Sequence, residues 1–424
     1  MNMKREEYVE NSYKLAKEVY LKFGVDVDSV LKQLAKVSIS LHCWQGDDVH
    51  GFQEDSGSSG GLIATGNYFG RARNADELRE DLSLVIKLVP SKKRINLHAI
   101  YADTYSKKVE RNELTVSNFK GWLDWAKEYK LPLDFNPTFF AHPLANSGFT
   151  LSHPDKRVRQ FWIEHAIAAR NISFEFGRKL GTASFYNVWI PDGMKDIPAD
   201  RFAPRERLLN SLDIIFKKKL DKKFIVDVVE GKLFGIGSES YVVGSYDFYL
   251  SYAVSRQKGI CLDMGHFHPT EQVADKISSI ALFVPCILLH VSRGIRWDSD
   301  HVVILNDDVK AVAEEVVRHN ILGGKVAFAL DFFDATINRV AAWIIGARAL
   351  LKAILIAMLE PYSCLKTSEE KFDYTERIAL MEAFKTLPFG AVWNYYCLVQ
   401  DVPLDDEWLG IVRKYEADVL SKRQ

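Results

Sequence analysis

The sequence predicts an α/β fold, a (β/α)8 TIM barrel, and three observations predict it. Eight short apolar runs are spaced along the chain, and stretches of helical periodicity separate them. Alternation of that kind is the signature of parallel βα units, in which each strand needs a helical crossover to return. The last four runs also deliver carboxylate or imidazole residues at or just after their C-terminal ends, where such a barrel carries its chemistry.

Taken in order, residues 1–36 read as an N-terminal helical segment: Tyr13, Leu15, Val19 and Tyr20 recur among charges, and Val30, Leu31 and Leu34 form a second short pattern. Val37 to His42 (VSISLH) is the first strand, and it runs into Cys43-Trp44-Gln45-Gly46-Asp47-Asp48-Val49. Gly51 to Gly66, with its Gly57-Ser58-Ser59-Gly60-Gly61 cluster, reads as a loop forming a lid or pocket wall. Asn74 N-caps a helix running to Val89, and Arg94 to His98 is the second strand. An amphipathic helix over Thr115 to Tyr129 precedes a third strand, Leu131 to Asn136. A long helix over Asp155 to Leu180 precedes the fourth, Ser184 to Ile190, which ends at Pro191-Asp192-Gly193. After a helix over Arg201 to Leu220 come Phe224 to Glu230 (FIVDVVE), Gly259 to Asp263 (GICLD), Cys286 to Val291 (CILLHV) and Lys325 to Asp331 (KVAFALD). Eight strands close the barrel, assigned to residues 37–349, and residues 350–424 read as a helical extension packing on it or on a neighbouring subunit.

Composition narrows the function. Fifty-five Lys and Arg against 56 Asp and Glu leave a formal charge of −1, which argues against nucleic acid as the partner. Five scattered cysteines, with no CxxC spacing, read as reduced thiols of a cytoplasmic protein. The N-terminal MNMKREEYVE has no apolar signal-peptide core, so export is not expected. Ala341 to Leu359 is the most lipophilic segment, but Arg348 and Lys352 interrupt it, so it reads as a buried helix and not a membrane span.

Residues two apart on a strand share a face, so Glu230 and Lys232 are expected to enter the barrel mouth together. Asp263 ends the next strand, and the turn after it brings His266 towards the same centre. His290 and Asp331 come from the last two strands, and Asp298 and Asp300 from the loop between them. Five carboxylates meeting without counter-charge would repel by roughly 3 kcal/mol per pair at about 5 Å and an effective dielectric of about 20. The pocket therefore needs cations, and Lys232 with two divalent ions would neutralise it. Carboxylates mixed with neutral imidazoles suit Mn2+, Mg2+, Co2+ or Zn2+. Asp47 and Asp48 are further candidates for the pocket lining, while His268 and His301 read as structural neighbours.

Five ordered stretches carry a resemblance: HCWQGDDV (from His42), KLFGIGSESY (from Lys232), CLDMGHFHPTE (from Cys261), LLHVSRGIRWDSDHVV (from Leu288) and LDFFDATINR (from Leu330). Through them the chain resembles the L-rhamnose isomerase family, from its N-terminal helices to its C-terminal extension. The resemblance implies a metal-dependent aldose-ketose isomerase, related to xylose isomerase, that interconverts L-rhamnose and L-rhamnulose by a metal-assisted 1,2-hydride shift in L-rhamnose catabolism. It implies Mn2+ in two divalent sites, with Zn2+, Co2+ or Mg2+ admissible in one, and a cytoplasmic homotetramer acting on a small aldose or ketose. By motif, Glu230, Asp263, His290 and Asp331 would hold a structural metal, and His266, Asp298 and Asp300 a catalytic one, with Asp263 a candidate bridge. Lys232, His98 and Asp331 would be catalytic, His98 at the sugar ring oxygen, and Trp189 and Trp44 would contact the sugar. The alternative reading is a metal-dependent barrel hydrolase of a phosphate ester; a noncatalytic sugar-binding module would need no converging carboxylates.

Overall fold

All eight runs form strands, which close into one parallel barrel: β1 (Ser38–His42), β2 (Lys92–His98), β3 (Leu133–Asn136), β4 (Ser184–Val188), β5 (Ile225–Glu230), β6 (Gly259–Asp263), β7 (Ile287–Val291) and β8 (Val326–Leu330). The computed structural model describes residues 5–52, 64–103, 109–233, 239–295, 297–322 and 324–423, with residues 297–299 described by backbone alone. Neighbours in sequence are neighbours in the barrel, and β1 pairs with both β2 and β8 to close it. Most of the Gly51–Gly66 loop, expected as a lid or wall, falls on residues 53–63 and lies outside the described residues.

Strand ends differ from expectation by a residue or two, for local reasons. Pro132 has no N–H to give a ladder, so β3 begins at Leu133 and Pro132 contributes only its carbonyl, which accepts from Ile95 N–H at 3.0 Å. β4 ends at Val188, three residues before Pro191, which has no N–H to carry a ladder further. The expected Thr115–Tyr129 helix splits into a 3-10 turn, Val116–Phe119, and a helix, Lys120–Glu128. The helix from Phe202 stops at Ile215, before the like charges of Lys217, Lys218 and Lys219.

The helix Ala75–Leu88 is capped as expected, with the Asn74 side chain accepting from Glu77 N–H at 2.9 Å. Arg339–Leu359 is long and apolar enough to cross a membrane, but 83% of its most apolar window is buried inside the protein. Its Arg348 is spent internally, donating to Leu88 O, the end of the 75–88 helix, and to Pro403 O. Helices Arg5–Leu21 and Val27–Leu34 open the chain, and Tyr13 stacks on Tyr395 of the helix Phe389–Val399, so both terminal segments share one layer outside the barrel. At the far end Arg423 and Tyr415 both bind the buried Asp81 carboxylate, tying the chain's end to the 75–88 helix. Cys43, Cys261 and Cys397 are buried, Cys286 and Cys364 half-buried, and all five are free thiols.

Gly177 lies inside the helix Lys156–Leu180, where a Cβ would meet the Phe224 carbonyl oxygen at 1.9 Å. Glycine to alanine in a helix interior ordinarily adds about 1 kcal/mol of stability. Here the overlap reverses the sign: Gly177→Ala should destabilise by about 1–3 kcal/mol, as overpacking does. A denaturant midpoint equal to or above that of the unaltered chain would contradict this.

Candidate metal centre and substrate pocket

Parallel register delivers the ligand residues in a stagger, two residues from β5 to β6 and again from β7 to β8 and none from β6 to β7, which the tilt of barrel strands brings together. Glu230 is the register partner of Cys261, and Asp263 of His290. Asp331 follows the last residue of β8 and donates its backbone N–H to Val291 O at 3.1 Å. As a result one ligand atom each from Glu230, Asp263, His290 and Asp331 lies within 4.8 Å of the others. The His290 imidazole is the hub, its Nδ1 3.1 Å from Asp331 Oδ2 and 3.6 Å from both Glu230 Oε2 and Asp263 Oδ2. His266 joins from the turn after β6, its Nδ1 3.0 Å from Glu230 Oε1.

The electrostatics follow from crowding charge into a dry place. Burial pushes the Glu230 carboxyl up, but the imidazoles of His290 and His266 outweigh it and hold it well below the usual carboxylate range. Asp263 goes the other way, raised by burial and by its carboxylate neighbours. For Asp331 burial is again the opposing influence, and His290 overcomes it to keep the group low. His290 itself is raised well above an ordinary imidazole: burial opposes its charge, and Cys261 and the carboxylates around it favour that charge.

These donors fit a divalent cation. Asp263 Oδ2 and both ring nitrogens of His290 are buried without a hydrogen-bond partner. Leaving such atoms unsatisfied costs about 1–3 kcal/mol each, and a cation on Glu230, Asp263, His290 and Asp331 would use Asp263 Oδ2 and the single lone pair of the neutral His290 ring, on the Nδ1 that faces the carboxylates. Outer contacts then fix the carboxylates. Asn187 Nδ2 donates to Glu230 Oε2 at 2.5 Å, Gly265 N–H and Ser292 Oγ donate to Asp263 Oδ1, and Trp44 Nε1 donates to Asp331 Oδ1 at 2.9 Å.

Above this floor the pocket is walled by Trp44, His98, Phe140, Trp189 and Phe333. Lys232 also lines it, buried, with its ammonium 4.9 Å from the Trp189 ring centroid. Desolvation keeps half-buried His98 neutral, its pKa pushed down to about 4, and its Nδ1 sits 3.2 Å from Thr138 Oγ1. Asp300 reaches the pocket from the hairpin Arg293–His301, with φ at +44°, a conformation aspartate tolerates better than most residues. The side chain of Asp298 lies outside the described residues.

Asp47 and Asp48, expected as candidates for the lining, turn away from the pocket. Asp47 accepts from Tyr101 OH and Gly51 N–H, and Asp48 takes a bidentate pair of bonds from Arg339 at 2.7 Å each. His268 contacts Thr270 outside the pocket. Sequence reasoning missed Asn187, Ser292 and the bond that Trp44 makes to Asp331. For Asn187 a signal existed, a lone amide within the apolar run SFYNVWI, since a buried amide requires a partner.

A family model described as L-rhamnose isomerase matches residues 7–423. An L-rhamnose isomerase of Klebsiella pneumoniae subsp. pneumoniae is 55% identical over 416 residues, covering 98% of this chain and 99% of that protein. One from Salmonella paratyphi B matches to the same extent. Among solved structures, an L-ribulose 3-epimerase overlaps 80% of this chain and 97% of its own length at 13% identity and a TM-score of 0.47. None of these supports the phosphate-ester hydrolase reading.

Removing the amide that holds Glu230 should loosen the ion without removing a ligand. Asn187→Ala is expected to weaken divalent-ion affinity by about 10- to 100-fold, the usual cost of losing an outer partner. Thermal-shift titration of chelator-stripped protein measures it, and an unchanged affinity would show that Glu230 needs no such support.

Proposed function

Because the chain belongs to the L-rhamnose isomerase family, and so is an aldose-ketose isomerase, we propose that it interconverts L-rhamnose and L-rhamnulose at the barrel mouth. The observation that carries the site assignment is the convergence of Glu230, Asp263, His290 and Asp331 from four successive strands onto one point. We assign these four to one divalent ion and His266, Asp298 and Asp300 to a second, with Asp263 as a candidate bridge. We take Mn2+ as the ion, with Zn2+, Co2+ or Mg2+ admissible in one site. Bound there, divalent ions supply Lewis acidity to adjacent sugar oxygens.

The chain's own groups do the rest. His98, neutral at physiological pH, is assigned to the ring oxygen as the sugar opens. Hydrogen then moves with its electron pair from C2 to C1, the O2 hydroxyl loses its proton, and O1 gains one. Asp331 faces the pocket and is assigned to passing that proton. Lys232 stabilises the charge that develops on O1, in a site where burial strengthens its field. Trp44 and Trp189 wall the sugar and exclude water. A C6 methyl is worth only about 1–3 kcal/mol in an apolar pocket, so related aldoses should also turn over, more slowly.

On this reading the enzyme works in the cytoplasm as a homotetramer, serves L-rhamnose breakdown, and requires neither nucleic acid nor membrane. Exposed apolar side chains on the outer helices, Tyr8, Leu15 and Ile378 among them, and Phe372 in the turn before the helix Tyr374–Phe384, support burial between copies.

Protein stripped with chelator should lose ketose formation from L-rhamnose and regain it with Mn2+, faster than with L-mannose or D-xylose; activity indifferent to chelation sinks the assignment. Lys232→Met should keep its metal content and lose about 10²- to 10³-fold in kcat, the cost of one electrostatic stabiliser. Lost metal would move Lys232 to another role. Turnover in heavy water should leave C1 and C2 largely free of deuterium. Extensive incorporation there would replace the hydride shift by an enediol route needing a general base.

A further inference from the structure

One layer below the four-residue cluster sits a thiol that isomerisation does not use. Cys261 lies on β6 two residues before Asp263, so the two side chains face the same way. It is 2% exposed and belongs to an apolar layer with Val228, Leu288 and Ala329. Ligand atoms of Glu230, Cys261 and His290 lie within 4.8 Å of one another, a three-residue group that shares two members with the four-residue cluster. The His290 ring adds an independent observation. Its Nδ1 faces the three carboxylates, whereas Nε2 is buried and has no hydrogen-bond partner.

We propose that Glu230, Cys261 and His290 form a second, deeper metal position that takes thiophilic divalent cations, Cd2+ above all, in competition with the position above it. Softness separates the two. Three carboxylates and an imidazole suit Mn2+, whereas a thiolate with one imidazole and one carboxylate selects soft ions. On binding, the Cys261 thiol gives its proton to solvent and the sulfur bonds the metal. A neutral imidazole has one lone pair, so His290 can serve the upper position through Nδ1 or the deeper one through Nε2 but not both, and a thiophilic ion inhibits by taking that lone pair and Glu230 with it. The inference rests on the reading of Glu230 and His290 as metal ligands.

The test uses full-length protein stripped with chelator and titrated with Cd2+ or Co2+, followed by the near-ultraviolet sulfur-to-metal charge-transfer band. A band that saturates, and that Mn2+ erases in proportion as it binds, is expected. Cys261→Ser should abolish the band and lower Cd2+ affinity by at least roughly the 10- to 100-fold that loss of a mere outer partner costs, while Mn2+ still raises its melting temperature. A band that survives in Cys261→Ser, or Cd2+ uptake with no band, overturns the proposal. Should the serine variant not fold, Cys261→Ala and the Mn2+ competition on unaltered protein decide it, and simultaneous binding of both ions at full occupancy overturns it. Absence of any Mn2+ thermal shift in unaltered protein instead refutes the ligand reading of Glu230 and His290, which separates that failure from this one.

Discussion

The structure depends on one constraint, that ligand atoms of three carboxylates and an imidazole be kept within 4.8 Å of one another, with Glu230, Asp263 and His290 buried and Asp331 half-buried. Like charges about 4 Å apart at an effective dielectric of about 20 repel by about 4 kcal/mol, so the arrangement persists only where the backbone leaves no room to relax. Parallel strands provide that rigidity, since each ligand is fixed by its neighbours' register. Asn187, Gly265, Ser292 and Trp44 then each give one hydrogen bond to a carboxylate, which stabilises the charged form without supplying a full positive charge. What remains uncompensated is the capacity for cations.

The pocket walls are held by a similar economy of buried polar contacts. Asp192, in the segment after β4 that carries Trp189, accepts from the backbone N–H and hydroxyl of both Thr150 and Ser152. Its carbonyl accepts from Val243 N–H, and the neighbouring Gly244 carbonyl accepts from Lys232 N–H. The tryptophan wall and the lysine are thereby tied through one short stretch of chain, which explains how the ammonium is placed over the indole. Across the mouth, Arg339 grips Asp48 and also donates to Tyr68 O and Phe69 O, joining the loop after β1 to the start of the 339–359 helix.

Much of this was legible in the sequence because parallel barrels oblige chemistry to lie at strand ends. Every apolar run became a strand, and the residues at the ends of the last four met as expected. Strand limits were legible only to within a residue or two, as at Pro132, where the missing N–H had to be weighed against a favourable apolar run. Asp47 and Asp48 lie off the pocket because a carboxylate after a strand is equally suited to other partners: Asp48 pairs with Arg339, remote in sequence, and Asp47 accepts from Tyr101 OH and Gly51 N–H. Trp44 was expected only as a wall for the sugar, yet its indole N–H also positions Asp331, a contact between opposite ends of the barrel sequence that closure alone creates.

That closure bears on how the molecule is made. The ligands enter the chain one after another, and Asp331 comes last, so a growing polypeptide has no complete centre until β8 has emerged from the ribosome and zipped onto β1 and β7. Ion capture is accordingly a late event in biogenesis, and a truncated product ending before β8 would be released without a working centre.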